Sequence, residues 1–466
     1  RVEAFQRYPF WLMAAGKSYS DVTWLGSDQL LARRVGRPIN RFMSIEASGG
    51  IVLLFATAVA LIWANSPWDH SYHALWGSEL SLNIGNIDVF TKAGLEHFTL
   101  EEFVNDALMA VFFFVIGLEI KRELVVGQLR KPRDAALPAI AALGGMVVPA
   151  AIYYAFNKGG VGADGWGIPM ATDIAFAVGV MSLLGPRIPR TLRVFLLSLA
   201  IVDDIGAILV IAFFYTEELS WEWLAVAGGL GLVVIAMRQA KVWWVPIYVI
   251  VGAFMWWATF KSGIHATIAG VALGLMAPAK PLQTDKEASK VADWLRDKPH
   301  VFVADVRFAA FHIRESTSIT ERLEDLLHPF TAYLIVPIFA LANAGVPLSG
   351  AAISDATTSA VTLGVVLGLI LGKTIGVTVF ALAATRSGLA TMPAGCNGRQ
   401  IGAVGILAGI GFTVSLFVTG LAFDDPGVAD QAKIGILAAS AIATIAGLAA
   451  LSAATPKVQV GAVSDD

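Results

Sequence analysis

The stretch LAIVDDIGAILV, Leu199 to Val210, contains two adjacent carboxylates, Asp203 and Asp204, in an otherwise uncharged sequence. The surrounding apolar run, 194–214, is 21 residues long, which is enough for a helix to cross a bilayer. The two aspartates are its tenth and eleventh members, so a spanning helix would hold them near the midplane. A charge there costs at least about 3 kcal/mol on insertion scales, so the pair predicts a functional site.

The composition indicates an all-α integral membrane protein. The chain is 56% hydrophobic and 15% charged, whereas soluble domains carry about 25% charged residues. Its 45 glycines suit helices that pack closely in lipid, and its single cysteine excludes an internal disulfide. Apolar runs predict about twelve spans, near 48–64, 100–120, 135–156, 165–184, 192–215, 221–237, 242–260, 263–278, 329–346, 360–385, 400–422 and 432–453.

Basic residues in the short loops predict the orientation. One set of alternate loops contains Lys121, Arg122, Arg130, Lys131, Arg133, Arg187, Arg190, Arg193, Arg238, Lys241, Arg386 and Arg399. The opposite set contains only Lys92, Lys158 and Lys261. The first side is therefore expected to be cytoplasmic, and twelve spans would place both termini on that side.

The predicted transmembrane domain covers residues 47–455, between an amino-terminal cytoplasmic arm (1–46) and a carboxy-terminal tail (456–466). Residues 65–98 are expected outside, where LSLNIGNIDVF alternates around a Gly-Asn turn and predicts a short β-hairpin. An isolated hairpin is marginally stable, so it is expected to pair, with another protomer as a candidate.

A long cytoplasmic loop is predicted over residues 279–328. It ends in SITERLEDLLHP, where Ser318 and Glu321 have the spacing of a capping box. An amphipathic helix is therefore expected to follow Ser318.

Two more charges lie inside apolar runs. Asp173 is the ninth residue of the run 165–185, and Lys373 is the thirteenth of the run 361–385. Together with Asp203 and Asp204 they predict one polar cluster at membrane depth. Ion pairs that only hold helices together are an alternative, but one lysine cannot neutralise three aspartates. The cluster is therefore expected to bind protons or cations.

The adjacency of the two aspartates has a chemical consequence. Neighbouring helical residues point about 100° apart, so one carboxylate can face a cavity while the other faces a partner helix. Two carboxyl groups this close are expected to titrate as a coupled pair. When ionised they offer hard oxygen ligands to a small cation, and a ligand must be deprotonated to bind a metal. Protons and the cation would therefore compete.

Proline and glycine indicate interrupted helices. Pro169 lies just before Asp173, and Gly405, Gly409 and Gly411 punctuate the eleventh span. A break exposes helix ends at membrane depth, positive at N-termini and negative at C-termini. Asp173 could compensate the first kind of end, and Lys373 the second.

Six stretches resemble the NhaA-type sodium/proton antiporter family, in order, across residues 48–451. They are FVNDALMAVFFFVIGLEIKREL, ATDIAFAVGVMSLLG, LAIVDDIGAILVIAFFYT, SGIHATIAG, LGKTIG and GILAGIGFT. The resemblance implies about twelve helices with inverted repeats and two interrupted helices that cross at the midplane. Here the interruptions would fall at 172–173 and 409–413.

The resemblance also implies roles for individual residues. Asp204 corresponds to the main cation ligand, and Asp203 to its proton-carrying partner, with Lys373 as a candidate ion-pair partner in the cation-free state. Thr172 resembles the family's oxygen donor, and Asp106 matches an aspartate near the far-side entrance. A pH-response role is implied for Glu119, Arg122, Glu123, Glu324, His265 and His328.

Simpler interpretations apply to the pH-response candidates. A single histidine such as His265 is more often packed and hydrogen-bonded than a sensor. The charges from Glu119 to Glu123 could be only the positive-inside flank of a helix. Asp325 also departs from the family, which has a histidine at this position.

The expected function is electrogenic, pH-regulated exchange of cytoplasmic Na⁺ or Li⁺ for external H⁺. We expect no enzyme activity, no resident cofactor and no nucleic-acid partner. The expected setting is the lipid of the bacterial plasma (inner) membrane, as a homodimer. A sodium-coupled symporter of a small organic solute is one alternative. An intramembrane aspartyl protease is another, but it needs two carboxylates that face each other across helices.

Overall fold

The computed structural model describes residue 34 and residues 48–84, 87–88, 90, 98–216, 219–242 and 244–455. The predicted arm (apart from residue 34) and the predicted tail lie outside the described residues. The described chain is almost entirely helical, as the composition predicts.

The helices of the first half are α1 (Ser48–Ala64), α2 (Asp69–Trp76), α3 (Leu100–Phe103), α4 (Met109–Val125), α5 (Pro132–Asn157), α6 (Ile174–Ser182), α7 (Arg190–Phe214) and α8 (Trp221–Gln239). A wide π turn, Val104–Leu108, joins α3 to α4. Short 3₁₀ helices cover Gln128–Arg130, Ala163–Met170 and Gly185–Arg187.

The helices of the second half are α9 (Val245–Lys261), α10 (Thr267–Met276), α11 (Asp285–Arg296), α12 (Val303–Arg314), α13 (Ile319–Phe330), α14 (Val336–Asn343), α15 (Gly350–Thr358), α16 (Ala360–Leu367), α17 (Lys373–Arg386), α18 (Gly398–Leu407), α19 (Phe412–Ala422) and α20 (Pro426–Ala454). Wide π turns, Thr331–Ile335 and Gly368–Gly372, join α13 to α14 and α16 to α17.

Many of these helices can cross a membrane. Seven helical stretches of the described chain are long and apolar enough, or up to nine if each of two bent pairs is one span. The bent pairs are α1 with α2, at 116°, and α18 with α19, at 49°. The protein is therefore a multi-pass membrane protein, and the count of twelve spans stays a prediction.

The ninth predicted span, 329–346, begins earlier than the sequence suggested. Helix α13 continues through a wide turn into α14, so the uninterrupted stretch is Ile319–Asn343. Ser318 starts it, because its hydroxyl accepts a hydrogen bond from the Glu321 N–H at 3.1 Å. The predicted amphipathic helix after Ser318 is confirmed, but it belongs to the span and not to the loop. The rest of the predicted loop contains α11 and α12.

The predicted hairpin region shows a small amount of strand. Residues Asn83–Ile84 (β1) and Ile87–Asp88 (β2) pair antiparallel, with Asn83 opposite Asp88 and Ile84 opposite Ile87. The two residues between them lie outside the described chain. The β-hairpin as a dimerisation element stays a prediction.

Close glycine contacts hold the helices together around the centre. Where α5 crosses α17, a Cβ on Gly376 would lie 2.1 Å from the Gly144 carbonyl oxygen. Where α4 crosses α10, a Cβ on Gly270 would lie 2.1 Å from the Ala110 carbonyl oxygen. Neither contact leaves room for a side chain, so glycine allows the backbones to touch, as expected for helices packed in lipid.

Candidate cation site

Helix α7 carries two carboxylates into the interior of the protein. The side chains of Asp203 and Asp204 are 0% and 3% exposed. The Oδ1 atom of each has no hydrogen-bond partner among the described residues. Two buried carboxylate oxygens are thus left with unused acceptor capacity, which is unusual, since buried polar atoms normally have partners.

Lys373 forms an ion pair with Asp203. Its ammonium Nζ donates to Asp203 Oδ2 at 2.6 Å, and both side chains are 0% exposed. Lys373 is the first residue of α17, so the pair joins α17 to α7. Asp204 has no such cationic partner within the described chain. When one member of a buried pair is removed, the other is left as an uncompensated charge, at a typical cost of 3–5 kcal/mol.

The break after the 3₁₀ helix Ala163–Met170 brings Thr172 to the same point. Residues 171–173 are not helical, and α6 begins at Ile174. The Thr172 hydroxyl lies 2.8 Å from Asp203 Oδ2 and 2.8 Å from the Ala408 carbonyl oxygen. A hydroxyl has one proton, so it can donate to only one of these acceptors at a time.

The two interrupted spans bond directly to each other. Helix α18 ends at Leu407 and α19 begins at Phe412, so residues 408–411 form the second break. The Asp173 N–H donates to the Ile410 carbonyl oxygen at 2.7 Å. A Cβ on Gly409 would lie 2.4 Å from the Leu369 carbonyl oxygen, so this close approach requires glycine.

Asp173 lies between two helix N-termini. Its Oδ1 accepts from the Phe176 N–H in the first turn of α6, at 2.9 Å. Its Oδ2 accepts from the Thr413 N–H at 3.2 Å and from the Thr413 hydroxyl at 2.6 Å, at the start of α19. A carboxylate is favourable at this end of a helix, because the partial charge there is positive. Lys373, by contrast, donates to Asp203 in this structure.

Asp106 lies in the π turn between α3 and α4, where its backbone carbonyl accepts from Trp256 Nε1 at 3.0 Å. Its neighbour Asn105 forms a reciprocal amide pair with Asn343, at 3.3 and 2.8 Å, which ties this turn to the end of α14. Asp106 is therefore close to the Asn105–Asn343 pair, on the same span as Glu119 but between three and four helical turns earlier.

The pH-response candidates divide into two locations. Arg122 Nη1 pairs with Glu324 Oε1 at 2.6 Å, which joins the end of α4 to α13. Glu119 lies one turn before Arg122 on α4, and His328 one turn after Glu324 on α13. Glu123 accepts from a backbone N–H of the following 3₁₀ turn at 2.8 Å.

His265 belongs to the second location. Its ring Nε2 forms a hydrogen bond with the Tyr215 backbone oxygen, immediately after α7. The Tyr215 hydroxyl in turn donates to the Asp164 carbonyl oxygen at 2.6 Å and accepts from the Gly167 N–H at 3.2 Å. The ring of His265 is thus linked, through Tyr215, to the 3₁₀ helix that precedes Thr172.

Sequence reasoning missed Thr413 and Tyr215 as contributors. Thr413 is the second residue of α19, directly after the glycine-rich break, and that proximity was the available signal. Tyr215 gave no signal, because its partners lie about fifty residues away in the chain.

The site contains hard oxygen ligands, but its described residues do not form a cluster of protein ligands typical of a tightly bound metal ion. Asp203, Asp204 and Thr172 supply carboxylate and hydroxyl oxygens, the ligand types that hard cations prefer. Within the described parts of the chain, no group of three or more His, Cys, Asp or Glu residues is arranged to hold a metal ion.

The fold and these buried charges define a multi-pass membrane protein with an internal carboxylate site. A family model, Na⁺/H⁺ antiporter 1, matches residues 40–451. The chain therefore belongs to the Na⁺/H⁺ antiporter 1 family, and the resemblance predicted from the six motifs is confirmed.

Similar proteins carry related names. An "Na(+)/H(+) antiporter NhaA" of Rhodopirellula baltica is 48% identical over 90% of this chain and 95% of its own length. The NhaA of Oleidesulfovibrio alaskensis is 46% identical over 90% of this chain and 93% of its own. The "NhaA 3" of Frankia alni is 45% identical over 89% of this chain and 88% of its own.

Proposed function

We propose that this protein is a secondary active antiporter that exchanges Na⁺, or Li⁺, for H⁺ across a bacterial inner membrane. The observation that carries the proposal is the buried pair Asp203 and Asp204, beside the crossing of two interrupted spans, where one oxygen of each has no hydrogen-bond partner in the described part of the chain. The names of the similar proteins support Na⁺ and H⁺ as the exchanged ions.

Each group at the site has a distinct proposed task. Asp204, which has no cationic partner at hydrogen-bond distance among the residues that the structure describes, is the main cation ligand. Asp203 is ion-paired with Lys373 when no cation is bound, and it takes up a proton at acid pH. Thr172 supplies a hydroxyl oxygen. Na⁺ binding requires both carboxylates to be free of protons, and protonation releases the cation. Alternating access then exposes the site to one face or the other.

The charge balance favours two protons for each cation. Asp173 keeps its negative charge at the two helix N-termini, and Lys373 balances it. Two protons on Asp203 and Asp204 neutralise the pair, whereas one Na⁺ leaves one negative charge. The exchange is therefore electrogenic and responds to membrane potential. A proton carried by Lys373 itself is a competing version of this step.

We propose the family's topology and assembly for this chain. Twelve spans with inverted repeats form the domain 47–455, with the arm 1–46 and the tail 456–466 in the cytoplasm and residues 65–98 outside. A hairpin that includes β1 and β2 pairs two protomers. Single cysteines introduced next to β1 test this assembly: cross-linked dimers in native membranes support it, and their absence contradicts it.

We propose that pH regulates transport through charged residues at the end of α4. The pair of Arg122 and Glu324 joins α4 to α13, with Glu119, Glu123 and His328 nearby, so protonation there changes how the two spans are held together. Asp106 is proposed to lie near the external entrance, and His265 to act through its contact with the Tyr215 carbonyl.

The experiment is a transport assay in proteoliposomes with a pH-sensitive dye. Wild-type protein should move protons when Na⁺ or Li⁺ is added at alkaline pH, and K⁺ should have no effect. Asp204→Asn should abolish the signal. Asp293→Asn, on the exposed α11, is the matched control and should behave like wild type. Full transport by Asp204→Asn would contradict the proposed site.

A sodium-coupled symporter is the second candidate, because Na⁺ could bind the same oxygens without exchanging for protons. It is separated by the same assay with Na⁺ as the only added solute. An antiporter moves protons under that condition, whereas a symporter needs its organic substrate. The protease alternative is disfavoured because Asp203 and Asp204 are adjacent on one helix and Asp203 is engaged by Lys373.

A further inference from the structure

Helices α11 and α12 pack against each other, and apolar side chains on another side of α12 are exposed. Phe308 of α12 meets Trp294 of α11 edge to face, with ring centroids 5.3 Å apart. Next to it Ala309 is only 1% exposed. Phe308, although 49% exposed, and Ala309 therefore mark the side of α12 next to α11, and Val303, Val306 and Ala310 lie away from that side.

The outward side of α12 is apolar with a basic margin. We call it the α12 outer face; its members are Phe302, Val303, Val306, Arg307, Ala310, Ile313 and Arg314. Phe302 and Val303 are each 69% exposed, Val306 is 49% and Ile313 is 40%. Their spacing at three and four residues makes one continuous stripe along the helix. A stripe of this kind is costly to leave in water.

The two arginines of this face have no acidic partner among the described residues. Lys298, by contrast, donates to Asp305 Oδ1 at 2.5 Å, and this hydrogen bond lowers the pKa of Asp305. Asp305 therefore stays ionised and is neutralised by Lys298, so it does not compensate Arg307. The face presents apolar side chains together with uncompensated positive charge, the combination found in helices that lie on anionic bilayers.

The position of the helix pair in the chain favours a bilayer as its partner. The Thr320 N–H, at the start of the stretch that contains α13, donates to the Pro278 carbonyl oxygen at 3.2 Å. Pro278 is two residues beyond the end of α10. The Gln283 N–H donates to the Glu315 carbonyl oxygen at 3.1 Å. These two hydrogen bonds attach the segment that contains α11 and α12 to the end of α10 and to the start of Ile319–Asn343. The latter stretch is long enough to cross a membrane.

We propose that α12 lies in the plane of the membrane surface, with its outer face on anionic phospholipid headgroups of the leaflet next to Pro278. Phe302, Val306 and Ile313 enter the interface between headgroups and acyl chains. Arg307 and Arg314 contact lipid phosphates, which arginine binds through its planar donor fork. The proposal concerns this surface alone and does not depend on which ions the protein transports.

The test measures what touches the outer face in the full-length protein. In a Cys396→Ser background, Val306→Cys carries an environment-sensitive fluorophore, and Lys290→Cys on the exposed side of α11 is the matched control. The protein is reconstituted in vesicles of phosphatidylcholine with phosphatidylglycerol. Nitroxide-labelled lipids quench probes in the interface, and iodide quenches probes in water.

We expect the probe at 306 to be quenched by the lipid nitroxide and shielded from iodide, with the reverse at 290. Arg307→Glu should lower the ratio of lipid-contacting to water-exposed probe by at least about fivefold, since one basic residue near an anionic surface contributes about that factor. The same loss should follow when phosphatidylglycerol is omitted.

Three results would overturn the proposal. Iodide quenching at 306 equal to that at 290 would place the face in water. Protection from both quenchers would mean that a second copy or the amino-terminal residues 1–47 cover it. Lipid quenching that is unchanged by Arg307→Glu and by omission of phosphatidylglycerol would exclude anionic lipid as the partner.

Discussion

The replacement Lys373→Met tests the buried ion pair. Methionine has nearly the length of lysine and no charge, so the main change is the loss of the ammonium that donates to Asp203 Oδ2 at 2.6 Å. Both side chains are 0% exposed, so no water replaces the lost partner without rearrangement. The free energy of unfolding should fall by about 3–5 kcal/mol at neutral pH, the usual cost of leaving one buried charge alone.

The assay is denaturant-induced unfolding in mild detergent, applied to a double-mutant cycle. Asp203→Asn removes the other charge, and the double variant removes both. The double variant should be less destabilised than the sum of the two single variants, because neither charge is then left alone. In Lys373→Met a proton can neutralise Asp203, so its deficit should shrink as the pH falls.

Two results would refute this reasoning. Equal stability of wild type and Lys373→Met at neutral pH would mean that the two groups do not form a paired charge. Strict additivity in the cycle would mean that each residue acts through other contacts. Thr172→Ser, which keeps the hydroxyl beside Asp203, is the control and should change the stability little.

Three further variants test contacts around the site. Tyr215→Phe removes both hydrogen bonds to the 3₁₀ helix before the break, at about 1–3 kcal/mol, and we expect a higher KM for Na⁺. Tyr153→Phe loses one bond from α5 to Gly162, the residue just before that 3₁₀ helix, and should leave the KM unchanged. Thr413→Val should lower the free energy of unfolding by about 1.5–3 kcal/mol, because its hydroxyl donates to Asp173, which we propose keeps its negative charge; an unchanged melting curve would contradict this role. Arg122→Gln and Glu324→Gln should each shift the pH at which transport becomes active, and the double variant should shift it by less than their sum; additive shifts would exclude the 2.6 Å pair as the coupling element.

The buried aspartates and the two helix breaks could be predicted from the sequence. The position of Asp203 and Asp204 midway along an apolar run predicts that they lie inside the protein, and both side chains are buried. Pro169 and the glycines at 409 and 411 predicted two helix breaks, and the helices are interrupted there. These signals are local, since a charge in an apolar run and a residue unsuited to a helix can both be seen within one segment.

Contacts between distant segments could not be derived in the same way. Nothing local indicates that Thr413 bonds Asp173, because 240 residues separate them. The residues alone also left open whether Lys373 pairs with an aspartate or compensates a helix end, since both sites need a positive charge. The early start of the ninth span was missed because charged residues in the first turns of α13 masked its continuity with α14.

The most direct test of the central claim is sodium binding to the purified protein by calorimetry over a range of pH. If protons and Na⁺ compete for Asp203 and Asp204, the apparent Kd for Na⁺ should rise as the pH falls, by up to about tenfold per pH unit for each proton displaced. Asp204→Asn should bind no Na⁺. An affinity that does not change with pH, or wild-type binding by Asp204→Asn, would contradict competition at these carboxylates.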